Sequence, residues 1–365
     1  MPPSRLALVG TGLIGASVGL AAKRAGVPVV AAWDPDPQAL TVAAERGAVD
    51  EPSGSLDDAL QGAELAVVAA PVAALAGLVR RVLESGSDCT VTDVGSTKAV
   101  VCAAAGTAPR FVGGHPIAGA ELHGPEHATA TLFDGATWYL SPLADTDPAR
   151  YRLVHAFVGG LGATPFAIDP EAHDRLVGIV SHLPHVLANV LVNQAGGTRI
   201  DGNDPLAAAG GSFRDMTRVA GANPRIWVDI LLDNAEVVGG LLADHRRELE
   251  RLERALDAGD AGFVARWIGE ASANRRRMLA TAFDDPGELQ RVIVHVTDRP
   301  GILAGITQAL GAERINIEDL ELEHISPERG GTVTLLVFGE AQAARAAELL
   351  EGQGYGVVVS PVIEE

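Results

Sequence analysis

The chain has 365 residues, 47% hydrophobic and 21% charged, with 28 Lys plus Arg against 47 Asp plus Glu and a net charge of -19. That length exceeds one ordinary core and implies two or three domains. The acidic balance argues against a nucleic-acid partner, whose affinity rests on Lys and Arg neutralising phosphates, so an anionic small ligand must be held by local cations. No charge-free run is expected to be long enough to span a bilayer. With a strand-like segment reached by Leu6, no signal peptide is expected. Two cysteines, Cys89 and Cys102, make no disulfide framework, and a cytoplasmic location is expected.

Leu6–Val9 is a continuous apolar run, as for a strand buried on both faces. Gly10-Thr11-Gly12-Leu13-Ile14-Gly15 follows, then a helical pattern through Ser17, Leu20 and Ala21. This is G-x-G-x-x-G in strand-turn-helix context. Gly10 permits the turn, Gly12 lets backbone approach a pyrophosphate, and Gly15 lets helix and strand pack closely. The N–H groups at Gly12, Leu13 and Ile14 open the helix toward phosphate. The next apolar run, Val29–Trp33, ends in Asp34, about 20 residues on, where an acid meets the adenosine ribose and repels a 2′-phosphate. NAD is therefore expected rather than NADP; a turn cap before Pro35 is the other reading of Asp34.

Leu65–Ala70 closing at Pro71, and Thr90–Asp93 leading into Val94-Gly95-Ser96-Thr97-Lys98, add two more units. Strands alternating with helices imply a parallel doubly wound sheet of Rossmann type over residues 1–168. Ligands bind outside the carboxyl ends of such strands. There stands His115, in Gly113-Gly114-His115-Pro116, where an imidazole can act as general base or simply brace a loop. Ser96 could hydrogen-bond His115 and fix its tautomer, or cap the helix that begins near Lys98. The role of Lys98, one of only two lysines in the chain, is open.

From 169 to 285 the pattern is helical. Ser181 and His185 lie four apart and share a face. His182 and His185 lack a third ligand at a telling spacing, so no metal is expected. Pro184 should kink its helix. Arg214 and Arg218 can each offer a planar fork to a carboxylate, Arg218 being the first candidate and a surface ion-pair helix the alternative. The apolar helix Ile226–Leu232 carries surplus greasy surface, which suggests a homodimer. A ferredoxin-like βαββαβ module occupies 290–365, with Gly301 at a helix start open to a carboxylate; added oligomer contact is its alternative use.

With these pieces in place, the chain resembles the prephenate dehydrogenase family followed by an ACT domain, over essentially its whole length. The marks are Gly10 to Ser17 (GTGLIGAS), Asp93 to Lys98 (DVGSTK), Gly113 to Glu121 (GGHPIAGAE), Ser181 to His185 (SHLPH) and Phe213 to Arg218 (FRDMTR). The resemblance implies NAD-dependent oxidative decarboxylation of prephenate to 4-hydroxyphenylpyruvate. It implies His115 as the base on the ring hydroxyl, Ser96 orienting it and touching both substrate and NAD, and Arg218 on a carboxylate; Arg214 stays the second candidate for that anion. Ser181 and His185 would line the pocket and Glu121 would gate its mouth. It implies an amino-acid effector, tyrosine or phenylalanine, at Asp298, Pro300, Gly301 and Asn316; with no obvious chorismate mutase extension, no second activity is expected. Arogenate is the rival substrate. A β-hydroxyacid dehydrogenase would need a lysine in the helical segment, which has none; a non-catalytic NAD- and amino-acid-sensing regulator would not need His115, Ser96 and Arg218.

Overall fold

The computed structural model describes residues 2–118, 123–279, 288–297, 299–326 and 330–362. They fall into two compact units, Met1–Arg246 and Arg247–Glu365. Unit 1 is built on eight strands: β1 (Arg5–Val9), β2 (Val29–Trp33), β3 (Glu51–Pro52), β4 (Leu65–Val68), β5 (Thr90–Asp93), β6 (Phe111–Pro116), β7 (Thr137–Pro142) and β8 (Thr164–Ala167). Their spatial order is β3-β2-β1-β4-β5-β6-β7-β8. Alternate residues of β1 serve opposite faces: Leu6 and Leu8 enter one core, Ala7 and Val9 the other. That is why the run is apolar without alternation. Beyond β1 the chain first builds β2 and β3 on one side, then returns to place β4 on the other. The crevice of a doubly wound sheet opens at this reversal.

The all-parallel expectation fails at one joint. β6 and β7 pair antiparallel, with His115 opposite Tyr139, and β8 then pairs parallel to β7. Every earlier strand reaches its parallel neighbour through a crossover, whereas residues 117–136 supply no crossover α-helix among those described, only the short turn Pro125–His127. A connection of that kind returns the chain beside itself in the opposite sense. Pairing with β7 also carries β6 through to Pro116, so His115 lies inside the strand rather than in a loop after it.

The helix Pro170–Val177 runs into a π-helical segment, Gly178–His182, and on into Leu183–Gly196. Pro184 falls in the first turn after the π segment, where its missing N–H and its ring are tolerated. Residues 176–198 carry no Asp, Glu, Lys or Arg, and Pro170–Gly196 is by length and composition apolar enough to cross a bilayer, which corrects the expectation drawn from charge spacing. In unit 1 one side of it is used internally, burying His173, Asp174, Val177, Gly178 and His182. Residues 169–246 belong to the same unit as the sheet, so position 168 marks a change of secondary structure rather than a gap in packing.

Unit 2 contains β9 (Leu289–Val296), β10 (Asp319–Ser326), β11 (Gly330–Phe338) and β12 (Gly356–Pro361), with helices Ile302–Ala312 and Glu340–Gly352 between them. The antiparallel order β10-β11-β9-β12 is that of a ferredoxin-like module. Val292, Val294 and Val296 of the central β9 meet Ile306, Leu310 and Leu350 from the helices. Just ahead of β10, Ile315 is drawn into this core and Asn316 donates to Glu318 at 2.7 Å.

Candidate active site

The crevice beside β1 holds a cleft of about 500 Å³ lined by Gly10, Gly12, Asp34, Pro71 and Gly124, among others. Three glycines shape it differently. A Cβ on Gly10, at φ +102°, would sit 2.1 Å from the Ala69 carbonyl oxygen, and one on Gly15 would sit 2.1 Å from the Gly10 carbonyl oxygen. At Gly12 a Cβ would meet nothing within 4 Å. The first two glycines close the turn; the third leaves space where a pyrophosphate can reach backbone. The helix Leu13–Arg24 starts there without a side-chain cap, leaving the N–H groups near Leu13 and Ile14 for phosphate.

Asp34 faces the same cleft. Its Oδ2 accepts from Thr11 N–H at 2.6 Å and Thr11 Oγ1 at 2.9 Å, and its Oδ1 accepts from Asp36 N–H at 2.8 Å. An ionised carboxylate has about four acceptor positions, so holding the turn leaves capacity for a ribose hydroxyl. Pro71 opens the helix Val72–Glu84 on the opposite wall. Glycines that would clash if substituted, one that would not, and an acid at the rim fit a dinucleotide.

A second cavity of about 720 Å³ lies at the end of β6. Ser96, His115, Tyr139, Ser181, His182 and Trp227 contribute to its wall. Behind His115 is a buried charged framework. Asp93, at the end of β5, accepts from Gly114 N–H at 2.9 Å and Gly95 N–H at 2.8 Å. It also pairs with Lys98, both side chains being fully buried. The Lys98 ammonium donates in addition to the Gly114 carbonyl at 2.7 Å. Lys98 thus ties the strand that carries His115 to the turn after β5, which answers the question its rarity raised.

Asp174 completes the frame. Its carboxylate accepts from Lys98 N–H at 2.7 Å and Ala99 N–H at 2.8 Å, so it caps the helix Ala99–Ala105. Burial works against its charged form, but hydrogen bonds from His173 and from these two N–H groups outweigh burial and hold its carboxyl below the usual range. His173 lies 2.8 Å from Asp174 through Nδ1 and 2.9 Å from His115 Nδ1 through Nε2. Burial, His173, Lys98 and His182 together push the His115 imidazole well below its ordinary range. The ring is therefore an uncharged base at neutral pH.

Asn234, itself buried, donates to the Asp174 carbonyl at 2.9 Å and lies 3.1 Å from His182 Nδ1. The first contact fixes the amide nitrogen, so its other hydrogen goes to Nδ1 and the His182 hydrogen sits on Nε2. Burial lowers His182 to about 4, keeping it a neutral donor.

Several expected residues stand elsewhere. Ser96 lines the cavity but, among the described contacts, neither bonds His115 nor caps the helix; His173 takes the first role and Asp174 the second. His185 is not in the cavity wall. It stacks on Trp227 with ring centroids 3.5 Å apart, and Trp227 is the wall. Ser181 and His182, at the end of the π segment, face the cavity directly. Arg218 is exposed at the residue that caps the C-terminus of the helix Gly211–Thr217, and its charge acts on His185. Arg214 is exposed on that helix. Neither arginine lines the cavity. Glu121 lies outside the described residues.

In unit 2, a cavity of about 630 Å³ is lined by Arg299, Pro300, Gly301 and Leu322, among others. Gly301, at φ +87°, precedes the helix Ile302–Ala312 with no side-chain cap. Asn316 is not in this wall, and Asp298 lies outside the described residues.

Family models match the chain in three consecutive parts: the nucleotide-binding domain of prephenate dehydrogenase at residues 18–166, its dimerization domain at 169–270, and the ACT domain at 290–354. The prephenate dehydrogenase of Bacillus subtilis is 30% identical over 356 residues, 95% of each chain. A cyclohexadienyl dehydrogenase of Zymomonas mobilis is 30% identical over 76% of this chain and 97% of its own. The structure of Aquifex aeolicus prephenate dehydrogenase in complex with hydroxyphenyl propionate and NAD+ superposes with a TM-score of 0.70 at 30% identity, covering 76% of this chain and 98% of that one. Synechocystis arogenate dehydrogenase gives 0.69 at 27% identity, covering 75% and 99%. With a dinucleotide cleft, a buried-framed histidine and a matching relative along nearly its whole length, this chain belongs to the prephenate dehydrogenase family.

Proposed function

We propose that this NAD-dependent dehydrogenase oxidises and decarboxylates prephenate to 4-hydroxyphenylpyruvate, with arogenate as the alternative substrate. The observation that carries the reading is His115: an uncharged imidazole in the wall of a 720 Å³ cavity, its Nδ1 already committed to His173. Nε2 is the nitrogen left for a substrate hydroxyl. NAD would be held by Gly10, Gly12, Leu13, Ile14, Gly15, Asp34 and Pro71, and when bound it supplies the acceptor for hydride. His115 takes the proton of the ring hydroxyl while hydride leaves the same carbon. Loss of carbon dioxide makes the ring aromatic, so much of the driving force is the substrate's own; the protein orients it and manages one proton.

Ser96, Ser181 and His182 offer polar contacts from the cavity wall. Arg218 is the cation assigned to a substrate carboxylate, with Arg214 second, because its charge acts on His185 behind Trp227 of that wall. Glu121 is assigned to the mouth on the motif alone. Segments 1–168, 169–285 and 290–365 serve the cofactor, the substrate with dimerisation, and regulation respectively. A homodimer is supported by the matched dimerization domain and by apolar side chains left open in unit 1, Val180 at 65% exposure and Leu232 at 71%. The free, buried thiols of Cys89 and Cys102 suit a reducing cytoplasm. The unit 2 cavity at Pro300 and Gly301 is the seat proposed for an aromatic amino acid, tyrosine first.

Following NADH formation with prephenate and with arogenate side by side tests the reading. Oxidation of prephenate with NAD supports it; a preference for arogenate selects the alternative; turnover of neither refutes both.

A further inference from the structure

An imidazole can accept a substrate proton only through a nitrogen that carries none. We infer that Asp174 and His173 are a positioning pair that fixes the tautomer of His115, leaving its Nε2 bare toward the cavity. The inference rests on the proposed role of His115 and names the residues that make that role possible.

The direction of each hydrogen bond follows from the carboxylate outward. An ionised carboxylate accepts only. Asp174 already takes the N–H groups of Lys98 and Ala99, and its Oδ1 lies 2.8 Å from His173 Nδ1. His173 Nδ1 must therefore hold a hydrogen. A neutral imidazole so protonated has its lone pair on Nε2, and that atom is 2.9 Å from His115 Nδ1. The hydrogen between the two rings then belongs to His115, and His115 Nε2 keeps its lone pair. No water competes for these bonds, since His173 is 0% exposed and Asp174 3%. The rings meet edge to face at a centroid separation of 5.0 Å, and Tyr139 packs against His173 from the cavity side at 5.5 Å, so His173 is held in plane for both partners.

The pair also answers an electrostatic problem. When His115 takes a proton it becomes cationic among Lys98, His173 and His182. The negative charge of Asp174, reached through His173, offsets that cost, as an aspartate does for the histidine of a hydrolytic triad. Asp174 does not touch substrate; it acts through two imidazoles.

The test reads the hydrogens directly. The full-length chain, labelled with 15N in its histidine rings and saturated with NAD, gives the protonation state of each ring nitrogen by two-dimensional NMR without any substrate. A hydrogen on His115 Nδ1 and none on Nε2 is expected; a hydrogen on His115 Nε2 overturns the inference. Asp174→Asn keeps the shape of the side chain but leaves one oxygen for the three N–H groups that the carboxylate accepts, and sets its own N–H among them, so the hydrogen on His173 Nδ1 is no longer fixed. It should lower kcat by about 100-fold or more, the usual worth of a general base, with NAD affinity unchanged and the His115 hydrogen no longer confined to Nδ1. His173→Gln, whose amide oxygen can still accept from His115 Nδ1–H, should keep kcat well above that of Asp174→Asn. Wild-type kcat and an unmoved hydrogen in a folded Asp174→Asn chain would mean that the carboxylate is only a helix cap, and would overturn the inference. Should wild type oxidise neither prephenate nor arogenate, the substrate reading falls, while the ring measurement still decides this one.

Discussion

The two cavities of unit 1 are built by opposite methods. The cleft beside β1 is made mainly by backbone turns at strand ends: Gly10, Gly12 and Gly15 in the turn after β1, Asp34 just past β2 and Pro71 just past β4. It is a shape cut into backbone, and its key property is room. The cavity at His115 is made by side chains brought from far apart, Asp93 and Lys98 from one turn and His173 and Asp174 from a helix some 75 residues later. Its key property is a set of buried charges with every partner assigned. A cleft of the first kind tolerates change wherever it is open, whereas a frame of the second kind fails as a unit.

The sharpest way to break that contrast is His115→Asn. It should cost about 100- to 10,000-fold in turnover, the range of general acid–base catalysis, while calorimetric titration shows NAD bound as in wild type. A joint loss of both would mean the two cavities are not separable. Next in size is Lys98→Met, which leaves Asp93 buried without its cation. Removing one partner of a buried pair costs about 3–5 kcal/mol, and chemical denaturation should show that loss; a change under about 1 kcal/mol would place the pair on the footing of a surface ion pair.

The acid side of the stability curve provides a third test. His182 titrates near 4 in the folded chain against an ordinary 6.5, so the unfolded chain binds a proton that the folded one refuses. Its contribution is complete above pH 6.5 and is lost as the pH falls from 6.5 toward 4, amounting to about 3 kcal/mol. The lowered carboxylates Asp50, Glu51, Glu64 and Asp134 act at lower pH, since their ordinary values are 3.8 to 4.5. Melting temperature against pH should therefore fall less between 6.5 and 4 in His182→Gln than in wild type; parallel curves would refute the assignment. The smallest effect separates glycines within the cleft itself. Gly10→Ala should destabilise by about 1–3 kcal/mol through strain, whereas Gly12→Ala should melt like wild type and lose only cofactor affinity.

How much could be read from the residue string follows the same division. The cleft was legible because its motif is local: strand, three glycines, helix and a spaced acid each have a physical reason at short range. His115 was legible as a histidine at a strand end. The frame behind it was not, because nothing local says that Lys98 reaches Asp93 or that Asp174 caps a helix from across the unit. The one hint was the scarcity of lysine. Ser96 was given the task that His173 performs, since serine at a turn is a familiar partner while His173 sits in an ordinary helical pattern. The resemblance puts His185 in the wall beside Ser181, yet its ring lies against Trp227, a pairing that no local spacing announces. The reversed β7 escaped because strand periodicity carries no direction.

The five residues Gly178–His182 do more than lead a helix up to a proline. A helix tells its side chains where to look by counting, and a single widened turn resets the count. Ahead of it, His173 and Asp174 are aimed at the sheet; at its end, Ser181 and His182 are aimed at the cavity that His115 lines. Deleting one residue there would restore ordinary winding and rotate one half against the other by about 100°, so that the chain could satisfy one of these targets but never both.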